Sequence, residues 1–268
     1  MYALLTGYTK TLEIKFDMER FLIINGCSHS AGSEIPGEGI GDGRECRDKS
    51  FGALLATELD RTPIHLALPG GSNEWILRSS MSWIGDNLDK IRKKEIDVIF
   101  LVHWSGAERW EYRFPEKPFM TPFIDYEHDP AYRSFSVGSI NNMDGLASDI
   151  FKIFTKMFAT GTDYWSDNKL KNVISLQSFL QVHQIPYFFG NAFDTFIHTK
   201  TYLSTNRLIN RKYYPYMGDR ASSYYWLCKN VGFENMDKKN KLWHLGADAH
   251  EYYAQFLHKE FVRLDLTD

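Results

Sequence analysis

Strands alternating with amphipathic helices predict a three-layer α/β/α sandwich built on a mostly parallel sheet. Three observations carry this prediction. Four short runs, 21–25 (FLIIN), 63–68 (PIHLAL), 96–104 (IDVIFLVHW) and 185–193 (IPYFFGNAF), are almost continuously apolar. Strands covered on both faces read this way, whereas half-solvated strands alternate. The stretches between them carry a helical period. No repeat, linker or low-complexity tract divides the 268 residues. One α/β domain over residues 18–268 is therefore expected, with 1–17 as an N-terminal extension and Met18 opening a compact start.

The elements follow in order. Residues 21–25 form a buried first strand, and 33–48 (SEIPGEGIGDGRECRD) is a glycine-rich loop without an apolar period. A helix fits 50–59, with Phe51, Leu54, Leu55 and Leu59 on one face. The second strand, 63–68, is broken by PGGSN. A helix over 74–93 presents Trp75, Ile76, Ser79, Trp83 and Leu88, and its basic last turn suits the helix dipole. Residues 96–104 are the most hydrophobic strand and are expected at the sheet centre. From 105 to about 142 the chain reads as a long irregular insertion rich in Trp, Tyr and Phe. Loops beyond ~15 residues are usually functional or disordered, and so many aromatics argue against disorder. A substrate-binding lid and a docking surface for a protein partner are both open readings. Helices are expected near 143–159, 167–183 and 219–230. The last helix, 247–264, stacks Ala249, Tyr252, Tyr253, Phe256, Leu257, Phe261 and Leu264 on one stripe.

Composition excludes several classes. A net charge of -3 lacks the basic face that nucleic acid requires. Cys27, Cys46 and Cys228 are too few and too scattered for a disulfide framework or a zinc knuckle, and their odd number points to a reducing compartment. No run of 18 apolar residues suggests a membrane span, and the first 17 residues lack the pattern of a secretory signal. The segment GEGIGDG lacks the Gly-Lys-Ser/Thr ending and following helix of a phosphate loop. Neither metal nor cofactor is expected: Cys27, His29, His244 and His250 show no paired ligand spacing.

Ligands of open parallel sheets bind beyond the carboxyl ends of the strands. Here the first three strands end in GCSHS, PGGSN and HWSGAER, so three polar ends converge on one edge. A hydroxyl nucleophile needs a neighbouring base, and the segments supply both residue types. The stretch Gly26-Cys27-Ser28-His29-Ser30-Ala31-Gly32 resembles the first block, G-D-S-x-[ST]-x-G, of the SGNH (GDSL-type) hydrolases, with Cys27 in the Asp position. HLALPGGSN is similar to the second block, and WHLGADAH to the fifth, in which a histidine precedes a second one six positions later. His244 and His250 have that spacing. First blocks of this GCS type resemble those of uncharacterised phage and environmental bacterial members.

The resemblance implies a flavodoxin-like sheet and a serine hydrolase acting on a carboxylic ester, such as an acetyl group on a carbohydrate. It implies Ser28 as nucleophile and His244 as base. The oxyanion donors would be the N–H groups of Ser28 and of Gly70 or Gly71, with the Asn73 side chain. Two positions depart from the family pattern. Ser105 stands where the third block has asparagine, and Lys241 stands where the acid precedes the histidine. Asp237, seven residues upstream of His244, is the candidate acid. The site then works as a Ser–His pair, or the scaffold serves as a binding or structural protein, a virion component included. Arg109 reads equally as a substrate contact or a surface ion-pair partner. His250 reads as structural, Cys27 as a small buried residue, and His29 as lining. The expected location is cytoplasmic or virion-associated.

Overall fold

The computed structural model describes residues 18–33, 35, 46–113, 132–136, 149, 152–153, 156, 162–192, 206–217, 219, 222–233 and 244–267. Strand β1 (Glu19–Asn25) leads into a turn, and helix α1 (Phe51–Glu58) follows. Then come β2 (Thr62–His65), α2 (Asn73–Arg92) and β3 (Ile96–Trp104). A hairpin of β4 (Arg109–Arg113) and β5 (Tyr132–Ser136) precedes α3 (Thr162–Val182). The chain closes with β6 (Tyr187–Asn191), α4 (Tyr224–Asn230) and α5 (Ala247–Leu264).

Among the described residues, four strands pair in the order β2-β1-β3-β6, every pair parallel. Alternate residues of each strand feed opposite cores, as the period of two requires. On one face Ile23, Val98, Phe100, Val102, Tyr187 and Phe189 pack against α2 and α3. On the other, Leu22, Ile24, Ile99, Leu101 and Phe188 pack against α1, α4 and α5. The result is the three-layer α/β/α arrangement, with β3 buried almost along its whole length at the sheet centre. Among the described residues no helix is long and apolar enough to cross a membrane.

Three expectations need correction. Residues 105–142 are not irregular throughout: β4 and β5 pair antiparallel, with Trp110 opposite Phe135 and Tyr112 opposite Arg133. The alternation within RWEYR and YRSFS is a strand signal, obscured by the 18 residues of aromatic-rich sequence that separate the two runs. Strand β2 stops at His65, although Leu66 and Ala67 N–H still donate to the Ile24 carbonyl at 2.8 and 3.2 Å. Helix α3 begins at Thr162, five residues earlier than its apolar period suggests. The helix expected near 143–159, and the N-terminal extension 1–17, lie largely or wholly outside the described residues.

The start of α1 shows how the layers are fastened together. The first N–H groups of a helix lack intrahelical acceptors. Ser50 caps the helix, its hydroxyl accepting from Ala53 N–H at 3.3 Å. Phe51 N–H donates instead to Nδ1 of His250, 3.1 Å away on α5. That bond requires a neutral ring with its proton on Nε2. Burial pushes His250 down to about 3, the proximity of His244 adding to the effect. His103, fully buried on β3 with Nε2 2.9 Å from the Tyr253 hydroxyl, is likewise pushed down to about 3 by burial.

These two histidines make the fold acid-sensitive. Their folded-state values lie below the ordinary 6.5, so the unfolded chain binds the extra protons. Stability is complete above pH ~6.5 and falls as pH drops from there toward 3, each histidine contributing at most about 1.4 kcal/mol per pH unit. Urea unfolding at pH 7, 6 and 5 should show this decline, and His103→Gln should reduce its slope. A pH-independent midpoint would contradict it.

Candidate active site

The site is built from the end of β1. Asn25 is buried, and its amide nitrogen lies 3.1 Å from the Ile76 carbonyl, 2.9 Å from Ser79 Oγ and 2.8 Å from Ser80 Oγ. Its Oδ1 accepts from Gly26 N–H at 2.8 Å. The strand end is thereby pinned to α2. Gly26 then turns the chain with φ +155°. A Cβ there would stand 2.2 Å from Ser30 Oγ and 2.9 Å from the His103 carbonyl, distances no side chain tolerates. A tight turn follows: the Cys27 carbonyl accepts from Ser30 and Ala31 N–H, both at 3.0 Å, and the Ser28 carbonyl accepts from Ser33 N–H at 3.0 Å. Cys27 points inward with no exposure, and Ser28 retains 6 %.

Ser28 Oγ lies 2.7 Å from Nε2 of His244, which precedes α5 and is 216 residues away in sequence. The fold brings the two together because β1 is central and α5 packs on the same sheet face. His244 also contacts His29, ring centroids 4.8 Å apart. Burial first, then the positive fields of His244 and Arg109, hold His29 well below the ordinary imidazole range. His29 is neutral at physiological pH.

The other sequence candidates fall at the neighbouring strand ends. After β2, Gly70 takes φ +77°, and Gly71 packs so closely that a Cβ would meet the Gly26 carbonyl at 3.1 Å. Gly71 N–H is donated to the Leu68 carbonyl at 2.8 Å, so it is committed to the turn. Asn73 is the first residue of α2 and is buried. Its Oδ1 accepts from Ser105 N–H, and its Nδ2 donates to the Gly106 carbonyl, both at 3.0 Å. One side chain therefore clamps the end of β3 to the start of α2. Ser105 is fully buried, and its hydroxyl has no partner among the described residues. Arg109, half-buried at the start of β4, lies near enough to act electrostatically on His29. The same strand is held to α2 by a bidentate ion pair, Arg78 Nε and Nη2 to Glu111 Oε2 and Oε1 at 3.0 and 2.8 Å. Asp237 and Lys241 lie outside the described residues, and the bulk of the aromatic insertion does too.

Two contributors carry no signature in the sequence. Asn25 looked like the last residue of a strand, and only its run of polar partners on α2 reveals an anchor. His29 reads as lining, and nothing in the sequence signals that its ring meets that of His244. Among the described residues no group of three or more His, Cys, Asp or Glu side chains could hold a metal ion.

Asn73→Ala should leave Ser105 N–H and the Gly106 carbonyl buried without their partner. Each unsatisfied group costs about 1–3 kcal/mol. Denaturant unfolding should therefore show a loss in that range or above, and Asn73→Asp should retain the acceptor half of the clamp. An unchanged midpoint for Asn73→Ala would show that the clamp contributes nothing.

No curated protein sequence matches the chain. A solved structure of an acetyl xylan esterase is similar to it at a TM-score of 0.38 and 12% identity, covering 90% of this chain and 98% of that one. A family model matches residues 35–210, a segment that includes the Asn73 clamp and the hairpin but neither Ser28 nor His244. The chain belongs to that family, described as a family of unknown function, DUF6071.

Proposed function

We propose that the protein is an SGNH-like serine hydrolase that cleaves a carboxylic ester by acyl transfer. One observation carries the reading: Ser28 Oγ and His244 Nε2 stand 2.7 Å apart at the carboxyl edge of a parallel sheet. A free serine hydroxyl is a weak nucleophile, and a base in hydrogen-bond contact removes that weakness.

In the first step His244 Nε2 takes the hydroxyl proton as Ser28 Oγ attacks the ester carbonyl. Negative charge develops on the carbonyl oxygen. The Ser28 and Gly70 N–H groups have no acceptor among the described residues, and Asn73 has a second amide hydrogen beyond the one given to Gly106. These are the proposed oxyanion donors, each worth roughly 100- to 1,000-fold in rate. Collapse breaks the ester C–O bond, and His244 returns its proton to the departing alcohol. Water, deprotonated by the same histidine, then attacks the acyl-serine and releases the acid. Arg109 is the proposed contact for a polar part of the substrate. An acetyl ester on a carbohydrate is the proposed substrate class, and Asp237 the proposed acid behind His244.

The test is covalent labelling with a fluorophosphonate probe, together with hydrolysis of a short-chain aryl ester. Wild type should label once, at Ser28. Ser28→Ala should neither label nor hydrolyse, losing at least about 1,000-fold in kcat. Undiminished hydrolysis by Ser28→Ala would remove the assigned nucleophile. A folded wild type that neither labels nor hydrolyses would transfer the scaffold to a binding role.

A further inference from the structure

The base does not stand alone against the serine. His29, the next residue after the nucleophile, is 6 % exposed and lies against the His244 ring at a centroid distance of 4.8 Å and an interplanar angle of 57°. Behind it stand two aromatic rings of α4, Tyr224 at 5.4 Å and Tyr225 at 6.1 Å. Tyr224 is itself fully buried against Phe51 and His250. The His29 ring is thus fixed covalently to the serine turn on one side and wedged against the α4 aromatics on the other. It cannot follow His244 if that ring rotates.

We propose that His29 is a positioning residue, a rigid aromatic wall that holds the His244 imidazole in the plane facing Ser28 Oγ. The assignment rests on the reading of Ser28 and His244 as nucleophile and base. A base acts only within hydrogen-bond reach of the proton it removes. A ring that samples other rotations spends less time there, and small misplacements are costly in rate. The wall must also remain uncharged, because His244 becomes an imidazolium during attack. Among the described residues, the titratable and charged groups acting on His29 are His244, Arg109, His250 and His103, with the Tyr224 and Tyr225 rings in contact. Burial and these positive neighbours all favour the neutral ring, so the forming cation meets no charge on His29 itself.

The experiment compares wild type, His29→Ala and His29→Phe by the rate of fluorophosphonate labelling at Ser28, by kcat and KM on an aryl acetate, and by the pH dependence of labelling. His29→Ala should slow labelling and kcat by about 10- to 100-fold with KM little changed. His29→Phe, which restores a ring without nitrogens, should recover most of that loss. The acid limb of the labelling rate should have a one-proton slope in wild type and the same midpoint in His29→Phe. A folded His29→Ala protein that labels at the wild-type rate would overturn the proposal, as would a His29→Phe protein no faster than His29→Ala. A two-proton limb would equally overturn it, by showing that His29 titrates with the base. Should His29→Ala fail to fold, His29→Leu fills the space without an aromatic face and carries the same comparison. A wild type that does not label at Ser28 refutes the nucleophile assignment instead, and is seen before any His29 variant is read.

Discussion

Three strand ends meet at one residue that can carry no side chain. The Gly26 carbonyl accepts from Leu68 N–H at 3.2 Å, and Gly71 packs directly onto it. On the other side the His103 carbonyl of β3 would lie 2.9 Å from any Cβ at residue 26. The approach of β2 and β3 to the end of β1 therefore depends on a missing methyl group. Everything at the candidate site follows from that approach. The turn that presents Ser28 starts there, the Asn73 clamp spans the adjoining gap, and the hairpin with Arg109 begins three residues beyond it. Close packing of this kind leaves little slack, since interiors lack the voids that would absorb a shift.

The second organising feature is a set of rings without charge. His103, His250 and His29 are all buried beside Phe51, Tyr224 or Tyr253, in one continuous aromatic cluster. Each imidazole supplies polar atoms to an interior that could not hold a cation cheaply. His250 uses one to cap a helix, and His103 uses one on a tyrosine hydroxyl. Lysine or arginine could fill none of these places, and phenylalanine would leave the Phe51 N–H without an acceptor. His250 serves here as a small aromatic acceptor, and among the described residues His244 is the histidine whose ring nitrogen lies in hydrogen-bond contact with the Ser28 hydroxyl.

Much of this was legible in the chain. Continuous apolar runs marked β1, β3 and β6 because parallel strands are covered on both faces. The apolar stripe of α5 gave its limits at residues 247 and 264 as they stand in the fold. Small polar residues after each strand located the site's edge. What could not be read were relations between side chains. Both polar side-chain atoms of Asn73 also bond to the backbone of residues 105 and 106, a clamp that only the tertiary approach of α2 to β3 could reveal. Gly71 and Gly70 are equivalent as letters, and a turn bond to Leu68 separates them. The hairpin escaped because its two strands pair across a gap too long for a turn signature. The contact of His29 with His244 spans 215 positions and leaves no local pattern.

Helix α5 has one consequence beyond geometry. The same element follows His244 and, six residues after it, carries the histidine that accepts the first N–H of α1. A peripheral helix of this sort could in principle peel away and leave a folded but silent protein. Here detachment would strip the first N–H of α1 of its acceptor and open the Phe51 cluster in the same event. The Ser28–His244 contact and the integrity of one whole face of the sheet therefore belong to a single cooperative unit, so the contact lasts only as long as that face stays packed.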